Sequence, residues 1–573
     1  MTRRSYVIIA VILIMAAGGF LRIKGMYWDM PYGYHPDENT VFSVCIYKYL
    51  SGQGFPPEIS GYGLFIYYNL VPFMALAEVI YHPDWSDGVM IRKIARGIAE
   101  AYAIASILMI IMLGKKAYSV RAGLLAGLLF AFCPILIQSA RFYTPEPALV
   151  FYMLATTLLC LYLAEKGRTR HYLLAGLCIG LAYSVKINAI FLFPVFLVAH
   201  LQCRRGEWLS PFKAGALLKA LFNRRLIAGI VVALVPIIAF NYHMIVDPVA
   251  YFFADESIWS LGYNIKIIKG DIRPHWTFHF DGTTPYLYYL TNLFFWAMGP
   301  VLEIVGIAGF LLIAIRKRSH VEFLIGLYPV LFFLTSARLY VKFIRYTIPM
   351  VPYLILFAAA ALIYLWDNSK NGSIRKFAVA ALIVVTAGST IFYGLAFSQI
   401  YWRKEVRARA AEWIYKNIPV GYTFLVEPGY EFYGPPVFGR PGEMSHYKRI
   451  ILPLEEIYNR SSVVQGTRMA DERGLLSQEE VEQKLNAQLK RADAVIVSAA
   501  TKVAMVGHPE FPAVTRMYEG LFDEKLGFEL AATFEEYPGL FGITIKDDRA
   551  EPSFRLFDHP TIHIYTRPRP QEN

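Results

Sequence analysis

The chain has 573 residues, 56% of them hydrophobic and 15% aromatic but only 17% charged, more apolar side chain than one soluble core can cover, so the composition predicts a polytopic membrane protein. The formal net charge of +12 comes from Lys and Arg in short clusters between apolar runs, which leaves no continuous basic face for nucleic acid and reports topology instead. The 5 cysteines, Cys45, Cys133, Cys160, Cys178 and Cys203, follow neither a disulfide framework nor a zinc spacing.

A helix needs about 20 apolar residues to cross a hydrocarbon core of about 30 Å. Runs near that length occur at 6–25, 98–113, 122–138, 148–164, 172–186, 188–202, 226–246, 287–315, 321–337, 346–366 and 376–399, which predicts about eleven transmembrane helices. The first has a basic start and small residues at Ala16-Ala17-Gly18 but no convincing cleavage site, and is read as a retained signal anchor. Gly63–Tyr81 is a twelfth apolar stretch. If it does not cross, and Arg3 and Arg4 hold the N-terminus in the cytoplasm, the clusters at Lys115/Lys116/Arg121, Lys166/Arg168/Arg170, Arg204 to Arg225, Arg316/Lys317/Arg318 and Lys370/Arg375/Lys376 all face the cytoplasm. Gly63–Tyr81 is therefore expected to lie as a helix in the outer interface or to dip partway in.

That topology gathers the unusual charges on one side. His35-Pro36-Asp37-Glu38 lies in the first outer loop, about 26–97, ahead of an expected amphipathic helix over Asn39–Leu50. Pro and acids in a first turn commonly start a helix, but the same placement keeps Asp37 ionised and able to accept a proton. Arg141-Phe142-Tyr143-Thr144-Pro145-Glu146-Pro147 repeats the design, with Thr144 as a cap and Glu146 beside the membrane. Lys186 interrupts the apolar Gly180–Phe196 at an outer turn, where its ammonium either snorkels or meets an anion.

The long outer loop, about 247–285, contains Asp271-Ile272-Arg273-Pro274-His275-Trp276-Thr277-Phe278-His279-Phe280-Asp281. It reads first as a polar aromatic wall. No cofactor is required by the sequence; a divalent metal is left open, with His275, His279 and Asp281 as its candidate ligands. Tyr286, Tyr288 and Tyr289 follow at the membrane boundary, as an aromatic belt or as a platform for sugar stacking. Arg338, Lys342 and Arg345, with Tyr340 and Tyr346, crowd a further outer turn against the inside bias of cations, which points to an anion such as phosphate or a lipid headgroup.

From about Tyr401 the sequence changes character. Strand-like runs at Tyr422–Val426, Ala494–Ser498, Glu529–Phe534, Phe541–Lys546 and Thr561–Tyr565 alternate with helix-like runs at Glu405–Lys416 and Gln478–Lys490. The expected organisation is a helical membrane domain, 1–400, and an extracytoplasmic α/β domain, 401–573. No Gly-rich phosphate loop ending in Lys-Ser/Thr, no His-Glu-x-x-His helix and no Gly-x-Ser-x-Gly elbow occurs, which disfavours ATP-driven transport and serine hydrolase chemistry.

The order of these pieces resembles the GT-C membrane glycosyltransferases, in particular glycosyltransferase family 39, which includes protein O-mannosyltransferases and lipid A aminoarabinose transferases. The resemblance covers about Ser5–Tyr401 and rests on the first-loop HPDE, RFYTPEPALVFYMLA, GLAYSVKINAIFLFP, YLYYLTN and KFIRYTIPMVP in succession. It implies a polyprenyl-phosphate-linked sugar donor, an extracytoplasmic acceptor (lipid, glycan or protein) and membrane lipids as partners. By it Asp37 matches the first-loop catalytic aspartate with Glu38 as its acidic neighbour, and Glu146 stands where family members more often have Asp. Lys186 and Arg345 match basic positions near the donor's phosphate, and His35, Tyr288, Arg338, Lys342 and Tyr346 complete the expected substrate-binding set. The tail does not resemble the β-trefoil of eukaryotic protein mannosyltransferases, which weakens protein as the acceptor. A lipid-linked sugar flippase and a membrane scaffold with an extracytoplasmic binding domain are the competing classes.

Overall fold

The computed structural model describes residues 3–40, 52, 63–85, 88–209, 214–253, 260–317, 320–439, 445–464, 470–498 and 505–568. The membrane part is built from α1 (Arg3–Ile23), α2 (Val89–Ala117), α3 (Val120–Phe132), α4 (Pro145–Lys166), α5 (Thr169–Val185), α6 (Leu192–Cys203), α7 (Arg224–Phe240), α8 (Pro300–Lys317), α9 (His320–Ser336), α10 (Val351–Asp367) and α11 (Ile374–Trp402). Among the described residues five helical stretches, at Arg4–Ile23, Val89–Ala117, Pro145–Lys166, Ala214–Phe240 and Ile374–Asn417, are long and apolar enough to cross a membrane alone. The chain is a multi-pass membrane protein, and several of its other apolar helices are short and packed against these.

Close approach of these helices depends on small residues, because two apolar helices in lipid gain by packing rather than by leaving water. A Cβ added at Gly176 would lie 2.0 Å from the carbonyl oxygen of Gly229, and one at Gly180 would lie 2.2 Å from that of Ala233, so α5 and α7 touch backbone to backbone.

Several expectations for the membrane part change. The run 287–315 is not one straight span: Tyr289–Met298 and Pro300–Ile313 are bent by 117° where Gly299 takes a φ of +82° and Pro300 starts a new helix. The helix at 98–113 starts nine residues earlier, at Val89, and carries Arg92 and Arg96 into the fold instead of leaving them in the outer loop. Gly63–Tyr81 forms two helices, Phe65–Tyr68 and Val71–Tyr81, while most of the helix expected over Asn39–Leu50 lies outside the described residues beyond a first turn at Pro36–Thr40.

The tail forms a five-stranded mixed sheet in the order β2-β1-β3-β7-β4, from β1 (Thr423–Val426), β2 (Lys448–Ile451), β3 (Ala494–Val497), β4 (Glu529–Phe534) and β7 (Ile562–Thr566), with β5 (Gly539–Leu540) and β6 (Ile543–Thr544) as a separate hairpin. Alternation sorts its two faces. Phe424, Val426, Ala494 and Ile496 pack with Ala410 and Ile414 of α12 (Val406–Asn417). Leu425, Val495 and Val497 pack with Leu485 and Leu489 of α13 (Gln478–Arg491) and with Val514 and Tyr518 of α14 (Pro512–Phe522). The strand expected over Phe541–Lys546 is shortened to β6, because Phe541 and Gly542 both take positive φ and turn the hairpin. Strand β2 and helix α14 escaped the sequence reading.

The tail is seated on the membrane helices. Asp558 accepts hydrogen bonds from the Tyr401 hydroxyl at 2.6 Å and from Gln138 Nε2 at 2.9 Å, and Phe554 is buried in the membrane part's core. His559, fully buried, lies between Asp558 and Asp547.

Candidate functional site

The two acids of His35-Pro36-Asp37-Glu38 face different surroundings. Glu38 is fully buried: Arg96 donates from Nε to Oε1 at 2.9 Å and from Nη2 to Oε2 at 2.7 Å, and the Tyr143 backbone N–H adds a third bond at 2.9 Å. The same guanidinium grips buried Asp29 through Nη1 at 2.6 Å and Nη2 at 3.0 Å. An Arg fork held by two carboxylates is a geometry lysine cannot reproduce. Glu38 is thus occupied in a dry knot that fixes the first turn against α2 and the Arg141–Pro147 turn, and the expectation that it shares the chemistry of Asp37 does not fit this geometry.

Asp37 keeps a carboxylate that is 15% exposed and pairs with Arg345, whose side chain is 27% exposed. Arg345 stands 308 positions along the chain, in the short 3-10 turn Ile344–Thr347 that leads into α10. Glu146, in the first turn of α4 behind Pro145, accepts a hydrogen bond from Lys186 Nζ at 2.7 Å. Lys186 ends α5 in an extended conformation and carries its ammonium 5.8 Å from the Tyr346 ring. Arg345 and Asp37 act electrostatically on the same neighbours as Glu146, so the two ion pairs form one cluster. His35 borders it between the rings of Phe142 and Phe557, 4.5 Å from each, and burial holds its imidazole below the usual histidine range, hence neutral at pH 7.

The remaining candidates lie apart. Arg338 and Lys342 line a different cleft with Lys269 and Arg273, and Tyr288 packs its ring 6.4 Å from that of Phe280. The metal candidates diverge: His279 Nε2 meets Glu551 at 3.1 Å, Asp281 meets His508 at 3.2 Å, and His275 is pushed down to about 4 by burial. Among the described residues no three His, Cys, Asp or Glu side chains converge on a metal position.

Three residues that matter here escaped the sequence reading. Arg92 and Arg96, four apart on α2, reach the first loop, and that spacing at the head of a span was the available signal. Glu551 comes from the tail: it accepts from the Ile344 backbone N–H at 2.9 Å and bridges to His279, so it holds the turn that carries Arg345. Burial would raise its pKa, but the donors from His279, Ser553 and Ile344 keep it below the usual carboxylate range. No local pattern marks it.

The profile of the dolichyl-phosphate-mannose-protein mannosyltransferase family matches residues 94–224, a stretch that holds Arg96, Glu146 and Lys186 but not Asp37 or Arg345. No curated protein matches the sequence. In fold, the chain is similar to the Archaeoglobus fulgidus oligosaccharyltransferase AglB in complex with an inhibitory peptide and a dolichol-phosphate, with 12% identity and a TM-score of 0.52 over 99% of this chain and 89% of that one. The apo form of the A. fulgidus enzyme gives 13% identity and a TM-score of 0.51 over 95% of this chain and 76% of that one. ArnT from Cupriavidus metallidurans bound to undecaprenyl phosphate matches with 13% identity over 98% of both chains, at a TM-score of 0.48, too slight a likeness to argue from. The resemblance to GT-C membrane glycosyltransferases thus holds in sequence over 94–224 and in polytopic fold over nearly the whole chain.

Proposed function

We propose that the chain is an inverting membrane glycosyltransferase, hexosyl or pentosyl, that moves a sugar from a polyprenyl-phosphate donor to an extracytoplasmic acceptor. The observation that carries this reading is the meeting of Asp37, Glu146, Lys186 and Arg345, from four separate parts of the chain, in one partly open cluster. The likeness to a fold that accommodates a dolichol-phosphate, and to a family named for dolichyl-phosphate-mannose, supports the donor class. In the proposed topology the N-terminus is cytoplasmic, and the cluster and the domain at 401–573 face outward, where a lipid phosphate is at hand.

In this reading Arg345 and Lys186 take the donor's phosphate, Arg345 with paired N–H groups and Lys186 as a point charge. A phosphate that draws Arg345 away from Asp37 leaves that carboxylate free to accept a proton. The acceptor's hydroxyl or amine then attacks the anomeric carbon, the carbon–oxygen bond to phosphate breaks, the acceptor's proton passes to Asp37, and polyprenyl phosphate leaves with the electron pair. Lys186 and Arg345 meet the charge that develops on it. Phosphate leaves without a protein acid, so one base suffices. Glu146 orients Lys186, Tyr346 and neutral His35 wall the site, and Glu38 positions Asp37 from behind.

Comparing the glycolipids and glycoproteins of cells with and without the protein by mass spectrometry tests this. A sugar absent without the protein, restored by the wild-type chain and not by Asp37→Asn, is the expected result. Full restoration by Asp37→Asn would instead fit a flippase, which binds the phosphate but makes no bond.

A further inference from the structure

The turn that delivers Arg345 carries two further cations to another place. Lys269, Arg273, Arg338 and Lys342 line an open cleft of about 440 Å³ together with Thr283 and, among the described residues, a single carboxylate, Asp281. Asp281 is already shared between Arg273, at 3.6 Å, and His508, at 3.2 Å. Among the described residues no carboxylate pairs with Lys269, Arg338 or Lys342.

Lys342 is the telling member. Its residue is only 2% exposed, yet its ammonium bonds to two neutral acceptors, Thr283 Oγ1 and the Tyr340 carbonyl oxygen, both at 3.0 Å. A buried cation with no opposite charge carries a desolvation cost that neutral dipoles offset only in part. Burial accordingly holds the Lys342 pKa below the usual lysine range. Three more cations around the same opening deepen the positive potential, and the volume falls within the roughly 300–1,000 Å³ of small-molecule sites.

We infer that this cleft is a second oxyanion site, built for a phosphate mono- or diester group and separate from the Lys186–Arg345 pair. The inference rests on the transferase reading for its place in the reaction. Three residues of backbone reach at most about 11 Å, so one short turn joins the cleft's Lys342 to Arg345 of the reacting centre. That position suits a phosphorylated acceptor. A phospholipid headgroup carries the same chemistry and is the other source.

The test uses the full chain in phosphatidylcholine nanodiscs, first saturated with undecaprenyl phosphate and then titrated with glucose 6-phosphate by calorimetry. Saturable binding is expected, weakened about tenfold or more by R338Q/K342Q and less by Lys269→Glu, which leaves the buried ammonium in place, and unchanged by Arg345→Gln. Absence of saturable binding, or binding indifferent to both cleft variants, overturns the inference. If replacing a third of the lipid by phosphatidylglycerol abolishes glucose 6-phosphate binding, the oxyanion site stands and its occupant is a headgroup; if binding persists, the acceptor is the source. Undecaprenyl phosphate binding measured alone separates the two layers. Weakening by R338Q/K342Q but not by Arg345→Gln makes the cleft the donor's own phosphate site and defeats the inference, not the transferase reading. Weakening by neither variant defeats the donor assignment and leaves the cleft to the glucose 6-phosphate result.

Discussion

Asp37 and Glu38 are neighbours in sequence and opposites in circumstance. Glu38 has no exposed surface, and three N–H groups, two of them from a guanidinium shared with Asp29, saturate it. Asp37 is reached by solvent and holds a partner that is itself partly exposed. A buried, saturated pair gives up its geometry only at high cost, whereas a partly wet pair is separated by a competing anion at little cost. One dipeptide thus supplies a fixed brace and an exchangeable carboxylate, the base of the proposed reaction, and the contrast can be broken from either side.

The largest effect is expected at Asp37. Asp37→Asn should lower kcat by about 10²–10⁴ once the endogenous donor and acceptor are in hand, while thermal unfolding in detergent shifts by no more than a few degrees. Glu38→Ala should do the reverse at its root, because it takes away one of the two carboxylates that hold the Arg96 fork in a dry site and leaves Asp29 alone against it: a loss of about 3 kcal/mol, read as a large drop in the unfolding midpoint, with activity lost through unfolding. Equal thermal losses for the two variants would erase the distinction.

Next come the cations. Arg345→Gln and Lys186→Gln should each reduce kcat/KM by about 10²–10³, the usual yield of one charge-stabilising donor at a reacting centre. The sharper readout is undecaprenyl phosphate binding, which Arg345→Gln should weaken and Asp37→Asn should leave intact or tighten, since Asp37 competes with the phosphate for the guanidinium. Weaker binding in Asp37→Asn would mean that the carboxylate positions Arg345 instead of competing for it.

How much of this arrangement the sequence carries depends on the range of the forces involved. Asp37, Glu146, Lys186 and Arg345 stand out one by one because a charge at a membrane boundary needs a local reason. Their pairing does not: the 308 positions between Asp37 and Arg345 are closed by helix packing, which no window of sequence contains. The sheet's alternating faces at Phe424–Val426 and Ala494–Val497 are legible for the opposite reason, since period two is local. β2 is mostly exposed, Lys448 and Arg449 among its residues, and so lacks the apolar pattern that would reveal it. The break at Gly299 was hidden because Gly-Pro inside a long apolar run fits either a kinked span or two helices.

Glu551 extends the comparison into the tail. It is a buried, saturated carboxylate like Glu38, but it braces the Arg345 side of the working pair. Glu551→Ala should cost about tenfold in kcat/KM by loosening the Ile344–Thr347 turn, and Glu551→Gln, which keeps an acceptor for the Ile344 N–H, should recover most of it. A loss in Gln equal to that in Ala would place the effect in charge, not in positioning.

The smallest effect is one of pH, at the other saturated knot. His559 is held between Asp547 and Asp558, with Arg555 also on Asp547 and the Tyr401 hydroxyl and Gln138 on Asp558. Burial opposes its charge, but the two carboxylates outweigh that and raise the imidazole to about 9 from 6.5. A group raised on folding contributes its full stabilisation below its unfolded pKa and loses it as pH climbs through the folded one, so the seat of the tail should hold at pH 6.5 and weaken progressively up to and beyond pH 9. Protection factors of the amides across 547–559 should fall over that window by about tenfold or more, ahead of those in α2 and α4. His559→Gln, which bonds but does not titrate, should flatten the dependence. Because the same stretch carries Glu551, alkali should relax Arg345 from behind while Glu38 and Arg96 stay locked, so activity should fall at high pH before the first-loop knot opens.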